Sequence, residues 1–234
     1  MIDINFNFYS DSRGGDPDIK SPRLRTYHSI LWSKPLPCGL PFSMVDMKSK
    51  GYLAFQFKSS VCELGSDSIV HSYKNQNRKQ WLIKQLPESE VDDLKNLGST
   101  IGGYIIFPRK KIDGKFTINQ ARGVNHFIDD RFDLTLECIR RYYLNVDSPL
   151  FNSLKLYEHF FDLFVDFENY VDYFLLNDLV DDNKQIRFYL PFDDFKSKAS
   201  FNCIDDYIMY KSNVMKFVNA RNLRIQLQKN DWIK

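Results

Sequence analysis

Several features that define common protein classes are scarce or missing in this chain of 234 residues. Glycine accounts for only 10 residues, and no apolar run reaches the roughly 18 residues that a membrane-spanning helix needs. The four cysteines (Cys38, Cys62, Cys138 and Cys203) form no CxxC pair, so we expect reduced thiols rather than a disulfide framework. Residues 1–6 lack the basic and apolar regions of a signal peptide, which leads us to expect a cytoplasmic protein that does not contact a membrane.

The standard motifs of catalysis and metal binding are missing as well. The chain contains no P-loop, no GxGxxG turn, no HExxH helix, no nucleophile elbow and no EF-hand loop. Its four histidines (His28, His71, His126 and His159) share no metal-ligand spacing with one another or with the cysteines, which predicts no metal site. A net charge of +2 does not by itself indicate nucleic acid as a partner. The sequence thus names no cofactor and leaves open whether the protein is an enzyme.

The overall composition is typical of a globular protein, with 43% hydrophobic, 26% charged and 15% aromatic residues. The length favours a single domain over residues 1–234. Alternating patterns and apolar runs predict strands at 4–8, 52–57 and 104–107. Helical patterns dominate from about residue 130 onward. We therefore expect an α+β fold in which a part of mixed strands and short helices (about 1–125) packs against a mainly helical part (about 126–234).

Local signals predict several element boundaries. Ser21-Pro22 predicts a helix with a serine cap and a proline in its first turn, and Ser89 predicts another capped helix, which Gly98 ends. Asp113-Gly114 indicates a hairpin turn that leads into a strand at 116–118. Further helical patterns lie at 132–143, 150–164, 167–179 and 205–227, with a short strand at 186–190 before the last of them.

The first candidate site is a polar cluster in residues 11–34. Its Gly14-Gly15 pair allows the backbone to approach a ligand, and the helix that follows offers unpaired N–H groups to an anion. Arginine binds phosphate well, and a histidine three residues after an arginine shares its helix face and can exchange a proton. The ligand-binding candidates are Arg13, Arg23, Arg25 and Lys34, and the catalytic candidate is His28. The alternative is a surface loop whose acids and arginines pair locally.

The second candidate site lies at residues 117–131, which are predicted to follow a strand and to precede a helix. Ligand-binding groups often occupy such positions. Its candidate side chains are Asn119, Arg122, Asn125 and Arg131. The alternative is that Asp130 caps the helix and Arg131 pairs with a nearby acid. From the two clusters together we expect a polar cleft that binds a phosphate-bearing small molecule or a nucleotide, in a nucleotide-dependent transferase, a hydrolase or a protein without catalysis.

Two other functions stay open on the same sequence. Residues 150–182 combine many aromatic side chains with acidic ones, and Lys155 is their only lysine or arginine. This stretch favours a protein partner, of the phage-defence or toxin–antitoxin type. The basic tip at 109–111 and the basic last helix favour nucleic acid instead. A co-purifying protein would identify the first function, and an affinity that falls steeply with salt would identify the second.

Several longer stretches resemble a known protein family. They are SPRLRTYH (21–28), LWSKPLP (31–37), IDGK with TINQARG (112–123), DRFDLTLECIRR (130–141) and PFDDF (191–195). Together they are similar to a family of uncharacterised bacterial proteins of this length. The resemblance covers nearly the whole chain and implies a single domain, a bacterial or phage source and a cytoplasmic location. It implies no activity and no catalytic residue.

Overall fold

Four strands of the first half form an antiparallel sheet with the spatial order β1-β2-β3-β4. They are β1 (Val45–Met47), β2 (Tyr52–Phe57), β3 (Ser60–Ser68) and β4 (Tyr104–Pro108). The computed structural model of the protein describes residues 2–48, 50–57 and 60–228. In the β3–β4 register Ser66 lies opposite Ile106, and all five residues of β4 are buried.

Helices precede β1, lie between β3 and β4, and build most of the C-terminal part. They are α1 (Phe8–Asp11), α2 (Pro17–Lys20), α3 (Pro22–Trp32), α4 (Gln80–Ile83), α5 (Glu88–Gly98), α6 (Ile118–Val124), α7 (Phe132–Tyr143), α8 (Phe151–Lys155), α9 (Glu158–Phe161), α10 (Phe167–Tyr173) and α11 (Ile204–Gln228). Short 3-10 turns lie at 77–79, 101–103, 162–164 and 177–179. The sheet in the first half and the helices that dominate the second confirm the predicted α+β class.

The long helix α11 joins the helical part to the sheet. It packs against α5 and against the turn at 101–103, immediately before β4. Asn222 Oδ1 accepts a hydrogen bond of 2.8 Å from the Gly102 backbone N–H. A Cβ on Gly102 would lie 2.5 Å from that same oxygen, so the approach requires glycine. The contact fixes α11 against the start of β4.

The aromatic side chains of residues 150–182 belong mainly to the core. Those with no exposed area are Phe160, Phe161, Phe164, Tyr170 and Phe174. The ring centroids of Tyr170 and Phe174 are 4.9 Å apart, within the range of favourable aromatic pairs. Packing thus accounts for these rings, and the protein partner expected for this stretch stays a prediction.

Several local predictions are confirmed. The Ser21 hydroxyl accepts the Leu24 backbone N–H at 3.4 Å and caps α3, whose first residue is Pro22. The apolar run at 104–107 is the buried strand β4, and the last predicted helix agrees with α11 to within one residue at each end. The predicted Ser89 cap is wrong, because α5 already begins at the residue after Pro87.

Two predicted strands are wrong because short alternating patterns also occur in turns. Residues 4–8 form a turn followed by α1, which Asn7 caps by accepting the Ser10 backbone N–H at 2.9 Å. At 186–190 only Ile186 pairs, through a single bridge. The apolar side chains of both segments are buried by tertiary packing rather than by a sheet.

The predicted hairpin after β4 is also wrong. The turn at Asp113-Gly114 is present, but it leads into α6 instead of a strand at 116–118. Thr117 and Gln120 form a capping box, in which each side chain accepts the backbone N–H of the other residue at 3.3 Å. This reciprocal cap satisfies two N–H groups at the helix start and favours the helix.

None of the described helices is both long and apolar enough to cross a membrane. The four cysteines are unpaired, as expected. Cys62 and Cys138 are buried, and burial raises the pKa of each thiol to about 12. These two thiols are therefore protonated and unreactive at neutral pH.

Candidate functional site

A cleft of about 420 Å³ lies at the end of β3 and is bordered by residues of α2, α5 and α6. The polar side chains of this β3 cleft include Ser66, Asp67, His71, Lys95, Tyr104, Asn119 and Asp130. Pro17 comes from the first predicted cluster, and Asn119 and Asp130 come from the second. Residues of both predicted segments, 11–34 and 117–131, therefore border the same cleft, although the basic candidates of the first cluster do not line it.

Arg122 of α6 lies behind the cleft wall and pairs with Asp67, near the end of β3. Its Nη1 donates to Asp67 Oδ2 at 2.6 Å, and its Nε donates to Thr135 Oγ1 at 2.9 Å. Both charged side chains are buried, with 1% and 6% of their area exposed. Burial raises the pKa of Asp67 to about 6, although the Arg122 guanidinium opposes this rise. Asp67 is thus a carboxylate held in one orientation, and its protonation changes close to neutral pH.

Asp130 and His71 form a second pair in the cleft. His71 Nδ1 accepts the Tyr73 backbone N–H at 3.1 Å, so the proton of the neutral ring is on Nε2. This Nε2 lies 3.8 Å from Asp130 Oδ2. Burial lowers the pKa of His71 and Asp130 opposes the change, which leaves the imidazole neutral at pH 7. The pair thus presents an N–H group and a carboxylate side by side.

The backbone beside this pair is strained. Asp129 and Asp130 have left-handed φ angles of 50° and 60°, which few non-glycine residues adopt. The Asp129 carboxylate pairs with Arg78 and, at 2.8 Å, with Lys79 Nζ, and its carbonyl accepts the Tyr73 hydroxyl at 2.7 Å. Strain of this kind persists where surrounding contacts enforce it, often at functional sites. The contacts of Asp129 therefore hold Asp130 in place at the cleft.

Asp18 ties α2 to the strand that carries Asp67. Both of its carboxyl oxygens accept the Ser66 backbone N–H, at 3.1 and 2.9 Å, and burial raises the pKa of Asp18 to about 6. The Ser66 hydroxyl is buried and has no hydrogen-bond partner among the described residues. Within the same described ranges, no three His, Cys, Asp or Glu side chains group as metal ligands.

Three residues of the first predicted cluster are engaged inside the fold. Arg25 is buried, and its Nε donates to Asp46 Oδ1 at 2.8 Å. His28 is fully buried, its Nδ1 accepts the Trp32 indole N–H at 2.9 Å, and burial lowers its pKa to about 3. Lys34 Nζ donates to a carbonyl of α10 at 2.8 Å, and burial lowers its pKa to about 8. All three lie outside the cleft, and their ligand-binding or catalytic roles stay predictions.

The other two basic candidates of that cluster are on the surface. Arg13 is exposed in the turn after α1, with a left-handed φ of 53°. Arg23 is exposed on α3, and its guanidinium lies 4.2 Å from the centroid of the Phe6 ring. Neither residue lines the β3 cleft, so an anion bound there would not contact them in this conformation.

The second predicted cluster is divided between two places. Asn119 lines the β3 cleft, and Arg122 supports it from behind. Asn125 Nδ2 donates to a carbonyl before α8 at 3.1 Å. Arg131 donates to both oxygens of Asp133, at 3.2 and 2.6 Å, and lines a different cavity. For Arg131, pairing with a nearby acid is therefore the arrangement found.

Sequence reasoning did not select Asp67, His71 or Lys95. Asp67 offers one signal, since an aspartate is unfavourable inside a strand and a buried one needs a partner. Its partner Arg122 lies 55 residues further along the chain. Neither spacing nor composition links residues so far apart, which is why the pair was not found.

The basic residues of α11 are largely engaged within the chain. Arg224 donates to both oxygens of Asp178, at 3.0 and 2.9 Å, and Lys211 pairs with Glu90. Arg221 is buried. These contacts reduce the positive charge that α11 offers to nucleic acid, and the nucleic-acid function stays a prediction.

Comparison with known proteins bears on the predicted resemblance. The model of a family of unknown function, DUF6994, matches residues 2–225. No curated protein and no solved structure matches the chain. The expected resemblance to an uncharacterised family is confirmed. Since the match covers almost all of its residues, the chain belongs to the DUF6994 family, whose function is unknown.

Proposed function

We propose that the β3 cleft binds a phosphate-bearing small molecule with free hydroxyl groups, such as a sugar phosphate or a nucleotide. One observation carries the proposal: Asp67 and Asp130 share the cleft with Lys95, a cation that has no carboxylate partner among the described residues. Carboxylates accept hydrogen bonds from hydroxyl groups, whereas an ammonium group binds phosphate. The cleft volume of about 420 Å³ suits a ligand of this size.

The carboxylate side of the cleft favours hydroxyl donors. An ionised carboxylate only accepts hydrogen bonds, and Arg122 already fixes one oxygen of Asp67. The Asp130 carboxylate accepts no hydrogen bond within the described ranges, and its partner His71 is 3.8 Å away. Neighbouring hydroxyls of a ribose or a hexose can therefore donate to Asp130 and to the oxygen of Asp67 that Arg122 does not bind.

The phosphate side differs from the one expected from the sequence. Arg25, Arg122 and Arg131 each pair with a carboxylate, so their charge is already compensated. Lys95 Nζ instead lies 3.7 Å from the centroid of the Tyr9 ring. An aromatic face attracts an ammonium group and leaves its full charge in place. We therefore assign phosphate binding to Lys95.

The same groups can move a proton. Asp67 changes protonation near pH 6, and the neutral His71 faces Asp130 through its Nε2–H. A general base close to neutral pH activates a hydroxyl group, and a general acid protonates a leaving group. Transfer or hydrolysis of a phosphate ester is the reaction class that these groups support.

Titration calorimetry with matched ligands tests the binding proposal. The probes are ribose 5-phosphate and AMP, each compared with ribose and adenosine, which lack the phosphate. We expect Lys95→Gln to weaken binding of the phosphorylated probes about tenfold, the effect of losing one charge-assisted hydrogen bond, and to leave the others unchanged. Asp130→Asn is expected to weaken both kinds of probe.

Lys110→Gln is the matched control, because this lysine is exposed and does not line the cleft. It is expected to bind every probe as the unchanged protein does. The proposal is refuted if none of the phosphorylated probes binds, or if Lys95→Gln and Asp130→Asn bind them with unchanged affinity. Thermal unfolding of each variant in the absence of ligand shows that the fold is intact.

A further inference from the structure

A second cavity, of about 220 Å³, lies between the start of α7 and the segment 190–206. It shares no lining residue with the β3 cleft. Its volume is below the roughly 300–1,000 Å³ of typical drug-sized ligand sites, which limits it to a small molecule. Two of the stretches that carry the family resemblance, 130–141 and 191–195, meet at this Arg131 pocket.

Arg131 supplies a positive group that is held in one orientation. Only 4% of its area is exposed, and its Nε and Nη2 donate to the two oxygens of Asp133. Asp133 is fully buried and also accepts the Tyr189 backbone N–H at 2.9 Å, which fixes the carboxylate. The remaining amino group of Arg131, Nη1, has no hydrogen-bond partner among the described residues. A ligand that enters the pocket can therefore accept from a pre-oriented guanidinium.

Polar groups form the larger share of the accessible wall, and apolar side chains form the rest. The apolar side chains are Phe127, Leu134, Leu190, Pro191, Phe192 and Phe195. These apolar side chains beside a fixed N–H donor favour a molecule with one acidic end and an apolar body. The pocket disfavours a phosphate dianion, because Asp133 already compensates the charge of Arg131 and because Asp193 and Asp206 also line the pocket.

The lining of the pocket also includes two acidic residues and a lysine. Asp206 Oδ2 accepts the Asn202 backbone N–H at 2.7 Å, and Asp193 Oδ1 accepts the Lys196 backbone N–H at 3.2 Å. Both carboxylates thus bond to the backbone of the loop. Lys198, an exposed lining residue, adds a positive charge at the rim.

The loop that closes the pocket is held in a strained conformation. Asp194 and Phe195 have left-handed φ angles of 65° and 59°. Arg141 pairs with Asp194, and its guanidinium lies 5.0 Å from the centroid of the Phe195 ring. The Ala199 backbone N–H donates to the His126 carbonyl at 2.9 Å. Contacts on both sides of the loop therefore fix the wall of the pocket.

We propose that the Arg131 pocket binds a small monocarboxylate with an aromatic or branched apolar body, with the carboxylate on Arg131 and the body against the phenylalanine rings. The site is separate from the β3 cleft, so its occupancy does not depend on the function proposed there. Benzoate is the probe, because it combines one carboxylate with an apolar ring of matching size. Its uncharged amide, benzamide, is the control ligand.

The test measures benzoate binding by calorimetry and by NMR of the Ala199 amide. We expect a saturable dissociation constant of about millimolar or tighter, as is usual for a ligand of this size, and binding of benzamide at least tenfold weaker. Ser200→Trp places a large side chain at the exposed edge of the pocket and should abolish binding. Ser89→Trp, on the exposed face of α5, is the matched control and should not change it.

Each other outcome overturns the proposal. If benzoate does not bind at millimolar concentration, the pocket does not accept this class of ligand. If benzamide binds equally well, Arg131 does not recognise the carboxylate. If binding survives Ser200→Trp but is lost in Lys95→Gln, benzoate occupies the β3 cleft instead. The Arg131 variants themselves are avoided, since they would leave the buried Asp133 without its partner.

Discussion

Arg221 offers the most direct test of how the two parts of the fold are held together. It is a fully buried arginine of α11 whose bonds run to main-chain carbonyls. Its guanidinium donates to the Phe174 carbonyl at 3.2 and 3.0 Å, to the Gly102 carbonyl at 2.9 Å and to the Tyr104 carbonyl at 2.7 Å. Burial lowers its pKa to about 10, so the group remains charged at pH 7. One side chain thus joins α11, the end of α10 and the start of β4.

Arg221→Met keeps the length of the side chain and removes every one of these donors. Three buried carbonyls then lose a partner, at about 1–3 kcal/mol each. Removing the buried charge and adding apolar surface offsets about half of that loss. We expect the free energy of unfolding to fall by about 3 kcal/mol.

Urea unfolding at pH 7, followed by circular dichroism, measures this change. If the slope of the free energy of unfolding against urea concentration is unchanged, the midpoint shift reflects stability rather than a different denatured state. Arg224→Met is the control, since its pair with Asp178 is partly exposed and should contribute about 0.5 kcal/mol. A loss below about 1 kcal/mol in Arg221→Met would refute the view that its hydrogen bonds to carbonyls join the two parts.

Three further predictions concern buried groups. His28 stays neutral in the fold, whereas the unfolded chain gains a proton below about pH 6.5, so the free energy of unfolding falls as the pH is lowered. The fall is about 2 kcal/mol at pH 5. Urea unfolding of His28→Gln at several pH values should not show this fall. Gly102→Ala should lower the thermal midpoint by about 4–10 °C, because its Cβ would meet Asn222, and an unchanged midpoint would contradict the close approach. Asp67→Asn should lower the free energy of unfolding by about 3 kcal/mol at pH 7, because it leaves Arg122 unpaired. The double variant Asp67→Leu with Arg122→Met should lose less stability than the two single variants together. Additive losses would speak against the pair.

Elements with strong local signals could be predicted from the sequence. Ser21 with Pro22 marks the start of α3, and the apolar run at 104–107 is buried strand in the structure. Thr117 and Gln120 carry the T-x-x-Q spacing of a capping box, a local signal that favours α6 over the predicted strand. Residues 4–8 are different, because their alternation reflects tertiary contacts that no local pattern records.

The candidate site was only partly predictable for the same reason. Charged residues could be located, but their partners are distant in sequence, as with Asp67 and Arg122 or Arg25 and Asp46. An arginine that appears free in the sequence can be neutralised by such a partner, which changes its role from ligand contact to support. Lys95 shows the converse, since an ordinary helical lysine becomes a candidate ligand contact only when its neighbour Tyr9 is known.

The bond between Gly102 and Asn222 also constrains the order in which the chain can fold. The two residues are 120 positions apart, so the turn before β4 lacks its final partner until α11 has formed and docked. Closing such a long loop costs entropy before any contact compensates for it, and folds with many distant contacts fold slowly. During synthesis, the sheet leaves the ribosome before α11, so the turn at 101–103 stays without its α11 contacts until that helix has been made.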